Sequence, residues 1–404
     1  MKINKIEDLI ELENNRQNNN IELIASENFT SKKVRKITGS ILTNKYAEGF
    51  PGRRYYGGCE HVDKLEELAN SLACKLYGVK FANLQPHSGS TANMIAFAAL
   101  LKPGDKIMSL SLDEGGHLTH GSSVNFSGKM YNFIHYHIDA TGRIDYTAME
   151  ELARKEKPQM ILAGFSAYPF IIDFERFGKI AKEINALFLV DMAHISGLIA
   201  AKVHPSPFPW ADIVTSTTHK TIRGPRGGMI LTNSEDINKK VNSATFPGMQ
   251  GGPLEHVIAA KGQAFSEALD KSFKKYAKQI LVNTKAAAET LKKLGAVVTD
   301  TENHLFLLDT KKSFGLTGVE AQDKLDAINI TVNKNMLPKD PEKPSVTSGV
   351  RIGFAAITTR GANKKQSTEI AKIIYNYLAN KTFADETMKL VKKITKKLKK
   401  VEEL

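Results

Sequence analysis

The chain has 404 residues, of which 42% are hydrophobic and 25% charged; this composition excludes a disordered chain, and the length predicts two domains. No apolar run approaches the roughly 20 residues that cross a bilayer, and the N-terminus has no signal-peptide core, so we expect a cytoplasmic protein without a membrane partner. The net charge of +13 is spread along the chain and concentrates in the tail, 389–400, without a recognition motif, which disfavours nucleic acid as the primary partner.

Short apolar runs alternate with helical patterns after a polar N-terminal arm, residues 1–23. The pattern predicts strands over 81–84, 107–112, 131–136, 160–165, 187–190, 213–216 and 228–231, with helices such as 90–101 and 174–184 between them. Such alternation is typical of an α/β fold in which helices cover both faces of a mostly parallel sheet. We assign this sheet to a large domain, residues 24–270.

The pattern changes near Gly251 to long helical stretches over 253–294, closed by Gly295 as the predicted C-cap. Shorter elements follow over 297–308 and 320–331, and a loop rich in proline and lysine covers 335–344. These features predict a smaller α+β domain, residues 271–404. Its tail alternates paired lysines with apolar residues at helical spacing, which indicates a helix with a solvated basic face.

Four polar clusters follow predicted strands. They are Ser88-Gly89-Ser90-Thr91, Ser166-Ala167-Tyr168, Asp191-Met192-Ala193-His194 and the turn that contains Lys220. In parallel sheets covered by helices, ligands bind at the carboxyl ends of the strands. The clusters therefore predict a single site at that edge of the sheet.

Three of these clusters carry groups of defined chemistry. Lys220 lies at a polar turn, a setting that suits an imine-forming amine, with a surface lysine as the alternative. Ser88-Gly89-Ser90 opens an apolar helix whose free amides can hold a phosphate, with an ordinary serine N-cap as the alternative. Asp191 ends an apolar strand and can either pair with a heteroaromatic nitrogen or cap a turn. Pyridoxal phosphate requires all three groups, and their order resembles the aspartate-aminotransferase-like fold, fold type I.

Histidine pairs suggest a metal site as a competing interpretation. His117 and His120 have i, i+3 spacing, but Gly115-Gly116 breaks any helix before them, and no carboxylate or cysteine completes a ligand set. His135 and His137 alternate along a predicted strand edge, as packing residues do. The two cysteines of the chain are too few for a disulfide framework and lack the context of a metal knuckle. We therefore predict no metal.

Longer motifs resemble those of serine hydroxymethyltransferases, in the order of that family and over nearly the full length of the chain. They are Ile24-Ala25-Ser26-Glu27-Asn28-Phe29, Asn44-Lys45-Tyr46-Ala47-Glu48-Gly49, Arg54-Tyr55-Tyr56-Gly57-Gly58, Gln85-Pro86-His87-Ser88-Gly89-Ser90, Gly115-Gly116-His117-Leu118-Thr119-His120-Gly121, Val190-Asp191-Met192-Ala193-His194, Thr217-Thr218-His219-Lys220-Thr221 and Thr347-Ser348-Gly349-Val350-Arg351-Ile352-Gly353. Because several run to six residues or more, the resemblance is highly specific.

The resemblance implies how the cofactor is held. Pyridoxal 5'-phosphate is expected to be covalently bound to Lys220, with Asp191 on its pyridine nitrogen and His117 stacked on its ring. The resemblance implies further cofactor contacts from Ser88, Gly89, Ser90, Ser166, His194, Thr217 and His219, and from Tyr46 and Gly252.

The resemblance also implies residues for the two substrates. Amino-acid binding falls to Ser26, Glu48, Tyr56, His194 and Arg351, with Arg351 on the carboxylate and Glu48 as the acid or base near the serine hydroxyl. Tetrahydrofolate binding falls to Leu112, Gly116, His117, Leu118 and Asn335. Tyr46, Tyr56, Ser26 and the Gly251-Gly252 loop are expected from a neighbouring subunit, so the resemblance implies an obligatory homodimer and leaves a tetramer open.

The activity implied by the resemblance is the reversible interconversion of L-serine and tetrahydrofolate with glycine and methylene-tetrahydrofolate. Folate-independent cleavage of β-hydroxy-amino acids is expected as a side activity. One alternative is a folate-independent aldolase or transaminase on the same fold. Another is an RNA-binding protein that uses the basic surface and shows steep salt dependence.

Three positions depart from the family's pattern. Asp113-Glu114 precedes the glycine pair where a histidine is usual at the second position, Pro169-Phe170 follows Tyr168, and Phe354-Ala355 stands where Thr-Pro is usual. We expect all three in or next to loops that form the site, where they affect substrate or folate preference. Glu114 in particular is expected near the approach of the pterin, where it alters folate affinity or its pH dependence.

Overall fold

A computed structural model describes residues 5–404, so the first four residues of the predicted arm lie outside the described part. The helices are α1 (Ile6–Asn19), α2 (Lys32–Thr38), α3 (Glu60–Tyr77), α4 (Gly89–Leu100), α5 (Phe126–Met130), α6 (Tyr146–Glu156), α7 (Phe174–Glu183), α8 (Ser196–Ala200), α9 (Glu235–Ser243), α10 (Glu255–Ala268), α11 (Lys271–Lys293), α12 (Thr310–Phe314), α13 (Gly318–Asp326), α14 (Ala355–Thr359), α15 (Lys364–Leu378) and α16 (Ala384–Thr395). The strands are β1 (Ile21–Glu22), β2 (Gly49–Phe50), β3 (Arg53–Arg54), β4 (Phe81–Asn83), β5 (Lys106–Leu110), β6 (Asn132–Tyr136), β7 (Met160–Ala163), β8 (Leu187–Asp191), β9 (Ile213–Thr217), β10 (Gly228–Thr232), β11 (Val297–Val298), β12 (Leu305–Asp309), β13 (Ile330–Thr331), β14 (Asn333–Asn335) and β15 (Gly349–Gly353). Within residues 5–404, every helix is too short or too polar to span a bilayer.

The described residues form two compact units. The terminal unit contains the residues up to Phe29 together with Lys278–Leu404, and the central unit contains Thr30–Ala277. These borders differ from the predicted ones at 23/24 and 270/271. The N-terminal segment joins the C-terminal part of the chain because β1 pairs in parallel with β13, and the Leu23 amide then donates to the Thr331 carbonyl (2.9 Å).

The central unit is built on a seven-stranded sheet in the order β4-β10-β9-β8-β7-β5-β6. The strands from β5 to β9 run parallel, and β10 is antiparallel to both β9 and β4. All seven predicted strands are present, with ends within two residues of the predicted ones. The mostly parallel α/β fold is therefore confirmed.

Burial explains why the strands read as continuous apolar runs. β7 and β9 are buried along their whole length, as expected for parallel strands covered on both faces. One covering layer is α4, whose Ile95 and Phe97 pack in one cluster with Leu162 of β7 and Ile213 of β9. This packing fixes the N-terminal end of α4 near the carboxyl ends of the strands.

The terminal unit has the predicted α+β character. Its four-stranded antiparallel sheet has the order β11-β12-β15-β14, and the β1–β13 pair is separate from it. Phe306 of β12, Ile352 of β15 and Ile370 of α15 belong to its hydrophobic core. The predicted loop 335–344 lies between β14 and β15.

The two chain ends meet inside the terminal unit. The Arg360 guanidinium is fully buried and donates to the carbonyl oxygens of Asn18 (2.8 Å), Asn20 (3.1 Å) and Lys399 (3.0 Å). The predicted basic helix of the tail is α16, which buries Val391 and Ile394 and leaves its lysines toward solvent. The described part of the polar arm, residues 5–23, thus belongs to this unit.

Phe354, one of the departures from the family pattern, is fully buried in the core of the terminal unit. It directly follows β15, which carries Arg351, and its effect on substrate or folate preference stays a prediction. Its ring stacks on Phe306 with centroids 6.3 Å apart, and its amide donates to the His304 carbonyl (3.1 Å). This departure is therefore explained by core packing.

Candidate active site

Asp191 is the centre of a buried polar network at the carboxyl end of β8. Its Oδ2 accepts hydrogen bonds from Asn93 Nδ2 (2.9 Å) and His120 Nε2 (3.2 Å), and its Oδ1 accepts one from the Ala193 amide (3.1 Å). Asn93 Oδ1 in turn accepts from Thr215 Oγ1 on β9 (2.6 Å). Helix α4, strand β9 and the loop after β5 thus all position this carboxylate.

The surroundings of Asp191 keep it ionised. Burial alone would raise its pKa, but the hydrogen bond from His120 and the nearby charge of Lys220 hold the pKa well below its usual range. A buried carboxylate that stays charged at neutral pH can stabilise a protonated heteroaromatic ring. The turn-capping alternative is also realised, because the carboxylate accepts from the Ala193 amide.

His117 joins the same network through Thr119. The Thr119 hydroxyl accepts from Asn93 Nδ2 (2.8 Å) and lies 2.8 Å from His117 Nδ1, which also accepts from the Thr119 amide (3.2 Å). These bonds to Nδ1 fix the orientation of the His117 imidazole plane. A ring held in this way is suited to stacking on a planar ligand.

Lys220 lies in the turn after β9 and is 7% exposed, so it is not a surface lysine. The turn is closed by the Arg223 amide, which donates to the Lys220 carbonyl (2.9 Å). Thr221 Oγ1 donates to the His194 carbonyl (2.9 Å) and accepts from the Gly197 amide (2.9 Å). The structure therefore ties the lysine turn to the segment that follows Asp191, as the shared edge of the sheet predicts.

The start of α4 has the features of an anion seat. Ser88 is the N-cap, with Oγ accepting from the Thr91 amide (3.1 Å), so the alternative of a serine cap is realised while the next amides stay available to a ligand. Thr217 packs directly on this start, because a Cβ on Gly89 would lie 2.5 Å from its Cγ2. Thr217 Oγ1 is buried without a hydrogen-bond partner among residues 5–404.

His219 lies two residues beyond Thr217, in the turn after β9. Burial, together with the charges of Lys220, Arg226 and Lys261, lowers the pKa of His219 to about 3, so the ring is neutral. Its Nδ1 is buried and has no partner in the described chain. The orphaned Thr217 hydroxyl lies beside the start of α4, and the orphaned His219 nitrogen is near cationic side chains. Both atoms can serve the phosphate of pyridoxal phosphate.

A second cluster of predicted residues combines the loop before β2, the loop after β3 and the segment before α10. Tyr46 and Tyr56 meet edge to face with centroids 5.1 Å apart, and the Tyr46 hydroxyl donates to Glu48 Oε1 (3.3 Å). Gly251 and Gly252 lie against these side chains, since a Cβ on Gly252 would come within 3.0 Å of the Tyr46 ring. Both tyrosines are exposed in the single chain.

Predicted substrate residues also meet within the terminal unit. Arg351 is buried on β15, and its Nε donates to Asn333 Oδ1 (3.1 Å). Ser26 was expected from a neighbouring subunit, but its Oγ lies 3.4 Å from Arg351 Nη2 of the same chain, which corrects that expectation. Burial lowers the pKa of Arg351 to about 10, so the guanidinium remains charged at neutral pH. Asn335, two residues beyond Asn333 on β14, donates to the Met336 carbonyl (2.6 Å).

The loop after β5 carries the predicted folate residues Leu112 and Leu118, which are both exposed, and Gly116, which is buried. The preceding Gly115 carbonyl accepts from the amides of Ser166 (2.8 Å) and Ala167 (3.2 Å), so this loop is bonded to the one after β7. Two exposed leucines on a fixed loop offer an apolar surface to a flat ligand.

Sequence reasoning missed Asn93, His120 as an Asp191 partner, Asn333 and Lys261. Asn93 was visible only as a polar residue inside an apolar helix, and His120 only as half of a metal pair. Residues 5–404 contain no group of three or more histidines, cysteines or carboxylates that could hold a metal ion. In the structure His120 serves the Asp191 carboxylate instead.

The fold and this site define a pyridoxal-phosphate enzyme of fold type I. The serine hydroxymethyltransferase family model matches residues 2–374. Proteins described as serine hydroxymethyltransferases from Lactobacillus johnsonii and Mycoplasma mobile are similar to the chain. The first is 54% identical over 375 residues, which is 92% of this chain and 91% of that protein. The second is 53% identical over 393 residues, 96% of this chain and 94% of that protein. The chain belongs to the serine hydroxymethyltransferase family.

Proposed function

We propose that this protein interconverts L-serine and tetrahydrofolate with glycine and methylene-tetrahydrofolate. The observation that carries the proposal is Asp191, a buried carboxylate kept ionised beside the turn of the buried Lys220. The names of the similar proteins point to the same activity. Cofactor binding belongs to the central unit, where the residues of the anion seat and the Asp191 network lie.

The residues of the central unit fit pyridoxal phosphate. Ser88, Gly89 and Ser90 offer helix amides to its phosphate, and the orphaned Thr217 hydroxyl and neutral His219 offer further polar contacts. Lys220 Nζ would be the amine that holds the cofactor covalently. When bound, the cofactor supplies an electron-withdrawing ring that stabilises negative charge on the substrate carbon.

The side chains around the reacting atoms then have separate tasks. Asp191 would hold its negative charge for the ring nitrogen and thereby keep that nitrogen protonated. His117 would stack on the ring, and Ser166 and His194 would serve its phenolic oxygen. Thr119 fixes the His117 imidazole before the substrate binds. The imidazole can therefore exclude water without losing conformational entropy at each turnover.

Arg351 and Ser26 bind the substrate carboxylate. The buried guanidinium is charged and has a planar fork of donors, which matches a carboxylate in two hydrogen bonds. Asn333 orients this fork through the Nε bond. Glu48, with Tyr46 on its oxygen and Tyr56 nearby, holds and moves the proton of the serine hydroxyl.

Tetrahydrofolate binds at Leu112, Gly116, His117, Leu118 and Asn335. The exposed leucine side chains support an apolar contact with the pterin. Because the amino-acid site is complete without these residues, the protein also cleaves β-hydroxy-amino acids slowly in the absence of folate.

The working form is a cytoplasmic homodimer. Tyr46, Tyr56 and Gly252 form a cluster that is exposed in the single chain, as expected for residues that complete the site of a neighbouring subunit. An apolar groove with the exposed Ile41 and Leu68 on its walls supports the same association. Light scattering at assay concentrations distinguishes a dimer from a tetramer.

A spectroscopic test decides the central claim. The purified protein is expected to be yellow, to lose its visible band on borohydride reduction and to carry the reduced label on Lys220. Lys220→Ala should bind the cofactor without covalent attachment and turn over very slowly. A colourless protein that pyridoxal phosphate cannot reconstitute would contradict the proposal.

A folate-dependence assay separates the proposal from an aldolase or transaminase on the same fold. Serine cleavage should be fast only with tetrahydrofolate, whereas allothreonine cleavage should need none. Equal serine cleavage with and without tetrahydrofolate would favour the aldolase.

A further inference from the structure

Lys261, on α10, is a cation enclosed by backbone carbonyls. The residue is 1% exposed, and its Nζ donates to the carbonyl oxygens of Leu84 (2.7 Å), Pro86 (3.1 Å) and Gly228 (2.8 Å). An ammonium has three N–H donors, so all of them are used. Its hydrogen-bond partners are therefore neutral oxygens rather than a carboxylate.

These three carbonyls belong to the two segments that form the back of the phosphate seat. Leu84 and Pro86 lie between β4 and Ser88, and Gly228 opens β10. The Gly228 amide donates to the Pro86 carbonyl (3.0 Å), and a Cβ on Gly228 would collide with the Ser88 carbonyl. The ammonium thus joins β10 to the segment that ends at the N-cap of α4.

The same segment is held from a second direction by Gln250. Its Nε2 donates to the Gln85 carbonyl (2.9 Å), and its Oε1 accepts from the His87 amide (3.1 Å). Together Lys261 and Gln250 bond to four backbone groups of residues 84–87, a segment that has no regular secondary structure of its own. Such a segment depends on side-chain partners for its conformation.

The position of Lys261 is costly, which argues against simple packing. Burial lowers the pKa of Lys261 to about 7, against the opposing charge of Glu66. The other titratable groups that it faces are His87 and His219, and its charge lowers the pKa of both. An apolar side chain would fill the space without this cost, and the field of the ammonium reaches His219 at the seat.

We propose that Lys261 is a positioning residue for the cofactor phosphate, and this rests on the proposed function. The ammonium fixes the conformation of the segment 84–88, and this segment positions the amides at the start of α4 for the phosphate. Its positive charge lies behind the seat and offsets the charge of the phosphate without contact. A residue that served only general stability would affect every ligand of the site equally.

The test compares two ligands that differ only in the phosphate. Equilibrium dissociation constants for pyridoxal 5'-phosphate and pyridoxal are measured from the absorbance of the covalent complex, in wild type and Lys261→Met. The variant is expected to weaken pyridoxal 5'-phosphate binding by about tenfold or more, the scale of losing hydrogen bonds to a charged group, and pyridoxal binding by less than about twofold. An equal loss for both ligands would overturn the proposal.

Arg360→Met is the matched control. Arg360 is also a fully buried cation bonded to backbone carbonyls, but it lies in the terminal unit. Its loss is expected to lower the melting temperature while leaving the ratio of the two dissociation constants unchanged. A shifted ratio in this control would show that the ratio reports stability, and would contradict the assignment.

Gly227→Ala tests the proposal if Lys261→Met does not fold. A Cβ on Gly227 would collide with Lys261 Cε and lie 2.9 Å from its Nζ, so the variant displaces the ammonium and keeps its charge. The ratio should shift in the same direction as for Lys261→Met, and an unchanged ratio would overturn the proposal. A wild-type protein that binds no pyridoxal 5'-phosphate would contradict the proposed function itself, whereas an unchanged ratio in a protein that binds it contradicts only this inference.

Discussion

Two buried carboxylates of the central unit, Asp191 and Glu255, have opposite protonation states. Asp191 accepts three hydrogen bonds, from Asn93, His120 and the Ala193 amide, and its pKa lies well below the usual range. Glu255 begins α10 and is 0% exposed, and neither of its oxygens has a hydrogen-bond partner among residues 5–404. Burial raises the pKa of Glu255 to about 8.

The cation near Glu255 is already in use. Arg54 Nη2 lies 3.6 Å from Glu255 Oε1, but the same guanidinium forms closer ion pairs with Asp63 (2.8 Å) and Glu66 (2.6 Å). The negative charge of Glu66 further raises the pKa of Glu255. Three carboxyl groups around one guanidinium cannot all ionise at neutral pH without a net buried charge.

The contrast shows that donors, rather than burial, decide whether a buried carboxyl stays charged. Donors from α4 and from the loop after β5 surround Asp191, which we propose supplies a permanent negative charge to the cofactor. No such set surrounds Glu255 within the described residues, and a proton neutralises it instead. The two sites therefore respond in opposite ways when their carboxyl groups become amides.

The largest effect is expected for Asp191→Asn. The amide keeps the size of the side chain and removes the charge that we propose keeps the pyridine nitrogen protonated. We expect kcat/KM for folate-dependent serine cleavage to fall by about a thousandfold, the scale seen when a preorganised buried charge is lost. Steady-state kinetics check this result, with Glu255→Gln as the control that should stay within a few-fold of wild type. A variant that keeps a tenth of the wild-type activity would refute the role given to Asp191.

Glu255→Gln is expected to act on stability instead. The folded carboxyl holds its proton up to about pH 8, whereas the unfolded one releases it near 4.5, so the native state binds more protons between these values. The contribution of this group to the free energy of unfolding therefore falls as the pH rises from 4.5 to 8. Glutamine does not ionise, so the variant avoids this decrease in the free energy of unfolding. Relative to wild type, it should be more stable by about 1–2 kcal/mol above pH 8 and little changed near pH 5.

Thermal unfolding of both proteins between pH 5 and 9 measures this difference. The melting temperature of Glu255→Gln should move above that of wild type as the pH increases. Parallel curves would mean that Glu255 is already ionised in the native state.

The two sites also show which of their residues could be predicted from the sequence and which could not. The ends of apolar strands place Asp191 and Lys220 at one edge, because parallel strands share their carboxyl ends. Asn93 and Lys261 act on atoms that are remote in sequence, Asn93 on Asp191 and Lys261 on the Gly228 carbonyl. No local pattern distinguishes such residues from an ordinary helix residue in a lysine-rich chain.

The same limit explains the domain border. β1 joins the terminal unit by pairing with β13, about three hundred residues further along the chain. A two-residue strand has no period that a sequence pattern can reveal. The packing of Phe354 was not predictable for a related reason, because only its contact with Phe306 shows that its ring fills a core.

Glu114 is the intermediate case between the two buried carboxylates, and its replacement should have the smallest effect. Its Oε2 accepts from His137 Nδ1 (3.1 Å) and the Ile138 amide (3.2 Å), so it has donors, but His137 is 65% exposed. Solvent screens such a pair, and Glu114→Gln should change the free energy of unfolding by less than about 1 kcal/mol. Glu114 also precedes the Gly115 carbonyl, which bonds to the loop of Ser166.

Through that loop, the charge of Glu114 is expected to change the KM for tetrahydrofolate by a few-fold. Titrations of tetrahydrofolate with wild type, Glu114→Gln and Glu114→His between pH 6 and 9 measure the effect, and an unchanged KM at every pH would remove the idea. The glutamine variant keeps the shape of the side chain, so a shift in both variants assigns the effect to charge, and a shift in the histidine variant alone assigns it to shape. Asp191 and Glu255 indicate that hydrogen-bond donors decide whether a carboxyl stays charged. An effect of charge at Glu114 would extend this conclusion to a carboxylate whose donor, His137, is exposed to solvent.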